Sequence, residues 1–444
     1  MAKKESRPAE LVSAAQIIDA PYELPEGWKW VTIKDCCETF ADGDWIESKD
    51  QSNDGIRLIQ TGNIGNGNFR DKEDKYHFIS EDTFKKLNCT EIFAGDILIS
   101  RLPEPVGRSC IIPELQFKMI TAVDCTIVRL FENITNKKWF CYYTQTPSYD
   151  ELIKGSCTGT TRLRISRNNL GNLPFPLAPF AEQQRIVNRI ESMFAKLDEA
   201  KEKAQNVVDS FEPRKAAILH QAFTGKLTEN WRKENGVSED SWKYVKLEDI
   251  VKKEKNALKA GPFGSSLKKE FYVSSGYKIY GQEQVLNSDE NYGDYFIDET
   301  KYKELESCKI SPNDILISLV GTVGKTLILS ENCLPGIINP RLIKITLDLG
   351  IMIQQFFTYY FGSDYCKNKY KTVQHGTTMD VLNMGILKSL DYPCCSLNEQ
   401  HEIVRILDTV LEKERTAKSA AEQVLKKIDL LEKSILARAF RGEL

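Results

Sequence analysis

No run of about 18 apolar residues occurs in this chain, so no membrane-crossing helix is expected. The opening stretch, MAKKESRPAELVSAAQ, carries charges and no long apolar core, which excludes a secretory signal and points to the cytoplasm. Histidine is scarce: His77, His220, His375 and His401 are scattered, and none is grouped with cysteine. The twelve cysteines include no C-x-x-C. Cys36–Cys37 and Cys394–Cys395 are adjacent pairs and the rest stand alone, so reduced thiols in packing roles are expected, with no metal on this chain. H-E-x-x-H, G-x-S-x-G, a glycine-rich dinucleotide or methyl-donor loop and an Asn/Asp-Pro-Pro-aromatic segment are all missing. The net charge of −3 does not favour a nucleic-acid partner, yet only local charge on one face decides that question.

One segment imitates a catalytic motif. SLVGTVGKT, residues 318–326, resembles the end of a phosphate loop. That motif needs G-x-x-x-x-G-K-[ST], and Leu319 stands where the first glycine belongs. The loop must also lead into a helix, whereas the β-prone KTLILSE follows. Strand, glycine turn, strand is the expected structure.

The chain is written twice. EQQRIV (182–187) recurs as EQHEIV (399–404), AILHQAFTGKL (217–227) as SILARAFRGEL (434–444), and GTT (159–161) at 376–378, all at an offset of 217. DILIS recurs at an offset of 218, and EGWKWVTIKD (26–35) is echoed by DSWKYVKLED (240–249). The period is too long for a solenoid, and each half is large enough to hold a core. Each globular half reads as mixed α/β: DILIS, MITAVDCTIVRLF and GIINPRLIKITL as strands, NKKWFCYYTQTPSYDELI and IMIQQFFTYYFGSDYCKNKY as helices.

Each half ends in a long helix with an apolar stripe. In the first, Ile186, Ile190, Phe194 and Leu197 lead it, continuing to Phe211, with a kink or short break expected at Pro213. In the second it begins Ile403, Leu407, Val410 and continues through Ala417, Ala421, Val424, Ile428, Leu431 and Ile435. The expected partner of each stripe is the other, giving two long antiparallel helices that join two similar domains about a pseudo-two-fold axis. The divisions expected are an arm over 1–23, a domain over 24–180, a helical region over 181–227, a polar linker over 228–241, a second domain over 242–396 and a second helical region over 397–444.

Local features suggest a DNA surface. Arg162 and Arg164 lie in an acid-free stretch that contains Thr160 and Thr161; Lys369, Lys371 and His375 precede Thr377 and Thr378. Gln60, Thr61 and Asn63 in one half, and Gln282 and Gln284 in the other, offer amides and a hydroxyl suited to base edges. Arg101 and Arg108 flank the first turn, and Thr322 and Lys325 lie in the second. Roughly 30 helical residues span about 45 Å. One DNA turn is about 34 Å, so two domains held apart by such helices could read two parts of one duplex.

Taken together, TGNI at 61–64, the paired DILIS, GTT and tryptophan segments, PLAPFAEQQRIV and the two helix ends resemble the specificity subunit of type I restriction–modification systems, over nearly the whole chain. The resemblance implies two target-recognition domains, each reading half of a split, asymmetric double-stranded DNA site. It also implies helical regions that set the spacer and dock two methyltransferase subunits, restriction subunits joining that core, and no catalysis on this chain. S-adenosylmethionine, ATP and Mg would belong to the partner subunits. SRLPEPVGRS departs from the glycine turn expected in the first domain. A nucleotide-hydrolysing enzyme and a DNA-independent scaffold are the alternatives. Lys325→Ala should leave the ATP hydrolysis of an assembled complex at the wild-type rate; an intrinsic ATPase of the isolated chain that this substitution abolishes, in a steady-state assay, would support the enzyme reading.

Overall fold

The computed structural model describes residues 20–159, 163–263, 265–320, 323–373 and 382–444. Two compact units divide the chain: Met1–Gln205 with Glu422–Leu444, and Asn206–Ala421. The divide falls inside the two long helices, Phe180–Phe223 and Leu397–Ala439, rather than at their heads. Each unit is a mixed α/β domain with segments of both helices packed on it.

The duplication is visible strand by strand. In the first unit an antiparallel sheet runs Cys37–Asp42, Cys125–Leu130, Ile97–Ser100, Ser109–Ile111. In the second the order is Leu258–Ala260, Leu342–Ile345, Ile315–Ser318, Thr326–Ile328. A second sheet, three-stranded in the first unit and four-stranded in the second, holds one parallel pair in each, Ile56–Ile59 with Met119–Thr121 and Tyr277–Tyr280 with Gly336–Ile338. MITAVDCTIVRLF and GIINPRLIKITL are thus each two strands in different sheets, joined by a turn.

Both DILIS strands are wholly buried, which explains their continuous apolar run. Each is entered through a left-handed residue, Gly95 (φ 88°) or Asn313 (φ 69°), and then a buried aspartate. Asp96 accepts from the Phe93 amide at 2.9 Å and pairs with Arg129 at 2.7 Å; Asp314 accepts from the Ser311 amide at 2.8 Å and pairs with Lys344 at 3.2 Å. Acceptors satisfied this way can be buried without a stranded charge.

The motif that heads each long helix has a physical role. The side-chain oxygen of Gln183 accepts from the Asn136 amide at 2.9 Å, and its nitrogen donates to Ile134 and Ala178 carbonyls at 2.9 and 2.8 Å. Gln400 repeats the pattern, accepting from the Ile353 amide at 3.0 Å and donating to Ile351 and Cys395 carbonyls at 2.8 and 2.9 Å. Both are fully buried. The tryptophan-bearing starts also repeat: Lys29–Thr32 pairs with Pro174–Leu177 and Lys243–Val245 with Tyr392–Cys394, tying each domain's beginning to the strand just before its helix.

The helices pair antiparallel within each unit. In the first, Arg185 reaches the Leu444 carbonyl at 2.7 Å and Lys201 faces Asp429 at 3.6 Å. In the second, Arg214 meets Glu414 at 3.0 Å, and Lys418 lies over the Phe211 ring at 4.8 Å. Ile186 and Ile190 are buried with Leu436, Ala439 and Phe440; Phe194 packs on Tyr142, and Leu197 is half-buried. Ile403 and Leu407 are buried as expected, but the seam then takes Leu411, leaving Val410 half-buried and Ala417, Val424 and Leu431 exposed. The expected stripe stepped by three where the seam steps by four, and these helices also pack against their domains, which turns the buried face. The first helix continues unbroken through Pro213. The polar segment between the copies contains a helix, Glu229–Asn235, whose Arg232 is buried against Glu399 at 2.5 Å.

All twelve cysteines are free thiols, and burial pushes those of Cys110, Cys125 and Cys141 up to about 12, as packing residues require. Gln183→Leu should cost about 2–4 kcal/mol in chemical denaturation, because one amide and two carbonyls lose their partner. Leu411→Asp should destabilise by about 3 kcal/mol or more, and Val410→Asp by far less.

Candidate nucleic-acid interface

The antiparallel four-stranded sheet of each unit has one end at which nearly all the described candidate residues converge. In the first unit Cys37–Asp42 and Ile97–Ser100 finish there and Cys125–Leu130 begins. Gln60, Thr61 and Asn63 follow Ile56–Ile59 beside it. Arg101 and Arg108 bound its turn, and the segment carrying Arg164 is tied in where the Ile165 amide donates to the Arg101 carbonyl at 3.3 Å. In the second unit the Leu382 amide donates to the Leu319 carbonyl at 3.1 Å in the same way, beside Lys325 and Gln282. Thr160, Thr161, Arg162, Thr322, His375, Thr377, Thr378 and the Lys371 side chain lie outside the described residues.

Convergence does not make every candidate available. Asn63 and Gln284 are buried and structurally equivalent. Asn63 accepts from the Gln60 amide at 3.0 Å and donates to the Arg70 carbonyl at 3.0 Å. Gln284 accepts from the Gly281 amide at 2.8 Å and donates to the Tyr292 carbonyl at 2.6 Å. Their recurrence records a repeated cap, not a repeated base contact.

Arg108 is spent in the same sense. Its guanidinium donates to carbonyls of Ile64 (2.7 Å), Leu102 (3.0 Å), Pro103 (2.9 Å), Pro105 (2.8 Å) and Thr61 (2.7 Å). Burial, with the charge of Arg70 adding to it, lowers its pKa from the ordinary arginine value. Arg101 is buried, pairing with Asp42 at 3.2 Å and donating to the Val123 carbonyl at 2.5 Å. These two arginines hold the first turn closed.

Gln60 and Thr61 remain half-exposed. Arg164 is exposed and rests on Asp124 at 2.9 Å, and Arg167 lies 3.7 Å from Asp42, so the acid-free stretch in sequence meets acids in space. Lys325 is exposed. Gln282 is half-exposed and donates to the Ser318 hydroxyl at 3.1 Å and the Val320 carbonyl. It lines a cleft of about 920 Å³ with Lys269, Tyr272, Tyr295, Asn339 and Arg341. Lys369 belongs to another neighbourhood, its ammonium 4.6 Å from the Tyr365 ring and 4.9 Å from that of Tyr244.

The family described as the type I restriction modification DNA specificity domain matches residues 25–209 and 239–426. The chain belongs to this family. The type I restriction enzyme EcoKI specificity subunit of Escherichia coli strain K12 is 26% identical over 95% of this chain and 90% of its own. The EcoBI subunit of Escherichia coli is 26% identical over 71% and 68%. A chain solved in work on complex assembly and conformational transition of the type I system superposes with a TM-score of 0.70 at 18% identity, covering 96% of this chain and 100% of that one. The HsdS subunit of Thermoanaerobacter tengcongensis gives 0.60 at 18% identity, covering 96% and 99%. As a type I specificity subunit, the chain recognises DNA sequence within a restriction–modification complex and is not the catalyst. No described helix is long and apolar enough to cross a membrane.

Sequence reasoning overlooked exposed residues of this specificity subunit at the same sheet end: Trp45, Phe263, Lys269, Arg341. The signal was present, because ADGDW (41–45) aligns with KAGPF (259–263) at the same offset of 218 as DILIS. Arg108 and Lys325 are structurally equivalent and opposite in use. Arg108→Ala should lower the melting temperature by several degrees, since five carbonyls lose a donor, whereas Lys325→Ala should leave it within about 1 °C; calorimetry on the two variants checks both.

Proposed function

We propose that each unit of this specificity subunit reads one part of a bipartite, asymmetric DNA site. The observation that carries this reading is a duplicated frame with unlike chemistry at one sheet end. Equivalent positions hold Thr61 and Gln282, and Asp124 and Arg341, within matching strand registers, and Lys325 is exposed where Arg108 is buried. Equal frames present a base-reading surface twice, and unlike side chains select different bases. A palindromic target would call for like chemistry.

The two long helices set the unread spacer and dock two methyltransferase subunits, which modify adenines. Restriction subunits complete the assembly in the cytoplasm, where its DNA is. S-adenosylmethionine, ATP and Mg act on those partners.

Replacing residues 28–180 with the corresponding domain of another family member, in a host supplying the partner subunits, should change one half of the methylated sequence and leave the other half and the spacer as they were. Methylome sequencing reads all three. An unchanged site would show that this domain does not choose bases and would favour a scaffold.

A further inference from the structure

Two glycines at the reading end have no room for any other residue. A Cβ on Gly43 would lie 2.4 Å from the carbonyl oxygens of Thr121 and Ala122, and one on Gly261 would lie 1.8 Å from that of Asn339. The Gly43 amide donates to the Cys125 carbonyl at 2.9 Å and the Gly261 amide to the Leu342 carbonyl at 2.9 Å, so the two are equivalent in register. Each clamps the backbone of its loop to the floor of the domain. Two residues further on, each loop carries a large aromatic side chain in solvent: Trp45 is 71% exposed and Phe263 is 90% exposed. The Trp45 indole N–H reaches Glu47 only at 3.4 Å. Scattered exposed apolar residues need no explanation, but the same exposure at the same place in both copies, behind the same clamp, does.

A guanidinium occupies the facing strand entry in both units, supplied differently. Asp124 and Arg341 are equivalent: their carbonyls accept from the Arg101 and Leu319 amides at 2.9 and 3.0 Å. In the second unit the charge is Arg341 itself, exposed at the mouth of the cleft. In the first, Asp124 would put a negative charge there, and Arg164 covers it at 2.9 Å with its own side chain still about half exposed. A guanidinium has been retained where the residue beneath it has become acidic, and there Asp124 offsets its charge.

We propose that Trp45 with Arg164, and Phe263 with Arg341, are specificity-determining pairs, one for each half of the DNA site, the aromatic ring contacting base surface and the guanidinium contacting phosphate or a base edge. This rests on the reading that each unit recognises part of a duplex. An aromatic ring gains nothing from phosphate and is stabilised by leaving water against bases, while an arginine beside it supplies charge complementarity. The glycine clamp fixes where the ring stands, so its position carries sequence information that a mobile loop would lose.

The test uses the full chain assembled with its methyltransferase subunits, on duplexes built from the site that the wild-type complex methylates and on duplexes with one half scrambled. Trp45→Ala should lower discrimination about tenfold at the half assigned to residues 28–180 by domain exchange and leave the other half at wild type. Phe263→Ala should do the converse. Trp45→Phe should restore most of the loss, and Arg341→Ala should reduce the slope of log affinity against log salt by about one. Both rings are exposed, so melting temperatures should stay at wild type. Discrimination within twofold of wild type in both alanine variants overturns the proposal while leaving the half-site reading intact. A wild-type complex that tells neither scrambled duplex from its own site would instead remove the half-site reading itself.

Discussion

Two buried glutamines hold the arrangement that everything else uses. Gln183 and Gln400 each close one carbonyl in the bend between the last strand of a domain and its long helix, Ala178 or Cys395, and one amide and one carbonyl in the loop that leads into an earlier helix of the same domain. Those groups are buried, and leaving any of them unmet would cost more than the amide gains by staying in water. The side chain therefore fixes the direction in which each helix leaves its domain. The proposed spacer role needs that direction fixed, because an error at the root of a long helix grows along its length.

The frame is repeated more faithfully than its ornament. The aspartate turns, the capping amides Asn63 and Gln284, the buried cations Arg57 and Lys278 and the clamped glycines all recur at matching registers. Each solves a burial problem that the backbone poses identically in both copies. Partners are freer to vary: Arg57 is held by Asp71 at 2.5 Å and the Tyr76 ring, whereas Lys278 is held by carbonyls of Asn291 and Gly293, each at 3.0 Å. Where the surface faces solvent nothing enforces likeness, and there the copies diverge in charge and size.

Divergence also reaches the helix heads. Glu399 is buried and bonded to Thr228 (2.7 Å), Arg232 (2.5 Å) and Trp242 (2.9 Å). Its counterpart Glu182 stays near the surface with Arg185 at 2.7 Å. The segment between the copies is what buries the first of these, so a stretch that reads as polar and aperiodic is packed because a buried carboxylate requires its arginine.

The sequence by itself determined the duplication, the mixed α/β class, the two long helices and the strand–turn–strand reading of residues 318–326, because each rests on local periodicity or on exact offsets. It also carried the family, through motifs such as EQQRIV and EQHEIV whose buried glutamines cannot be exchanged cheaply. The tertiary structure alone decided which polar residues face outward. Arg108 and Lys325 look alike in sequence, yet one is consumed by five carbonyls and the other is exposed. The helical seam shifted from Val410 to Leu411 for a related reason: burial depends on what lies opposite, and residues far apart in the chain supply it. Trp45 and Phe263 acquire meaning only once Gly43 and Gly261 are seen pressed against carbonyls where one strand turns into the next, a contact no linear spacing encodes.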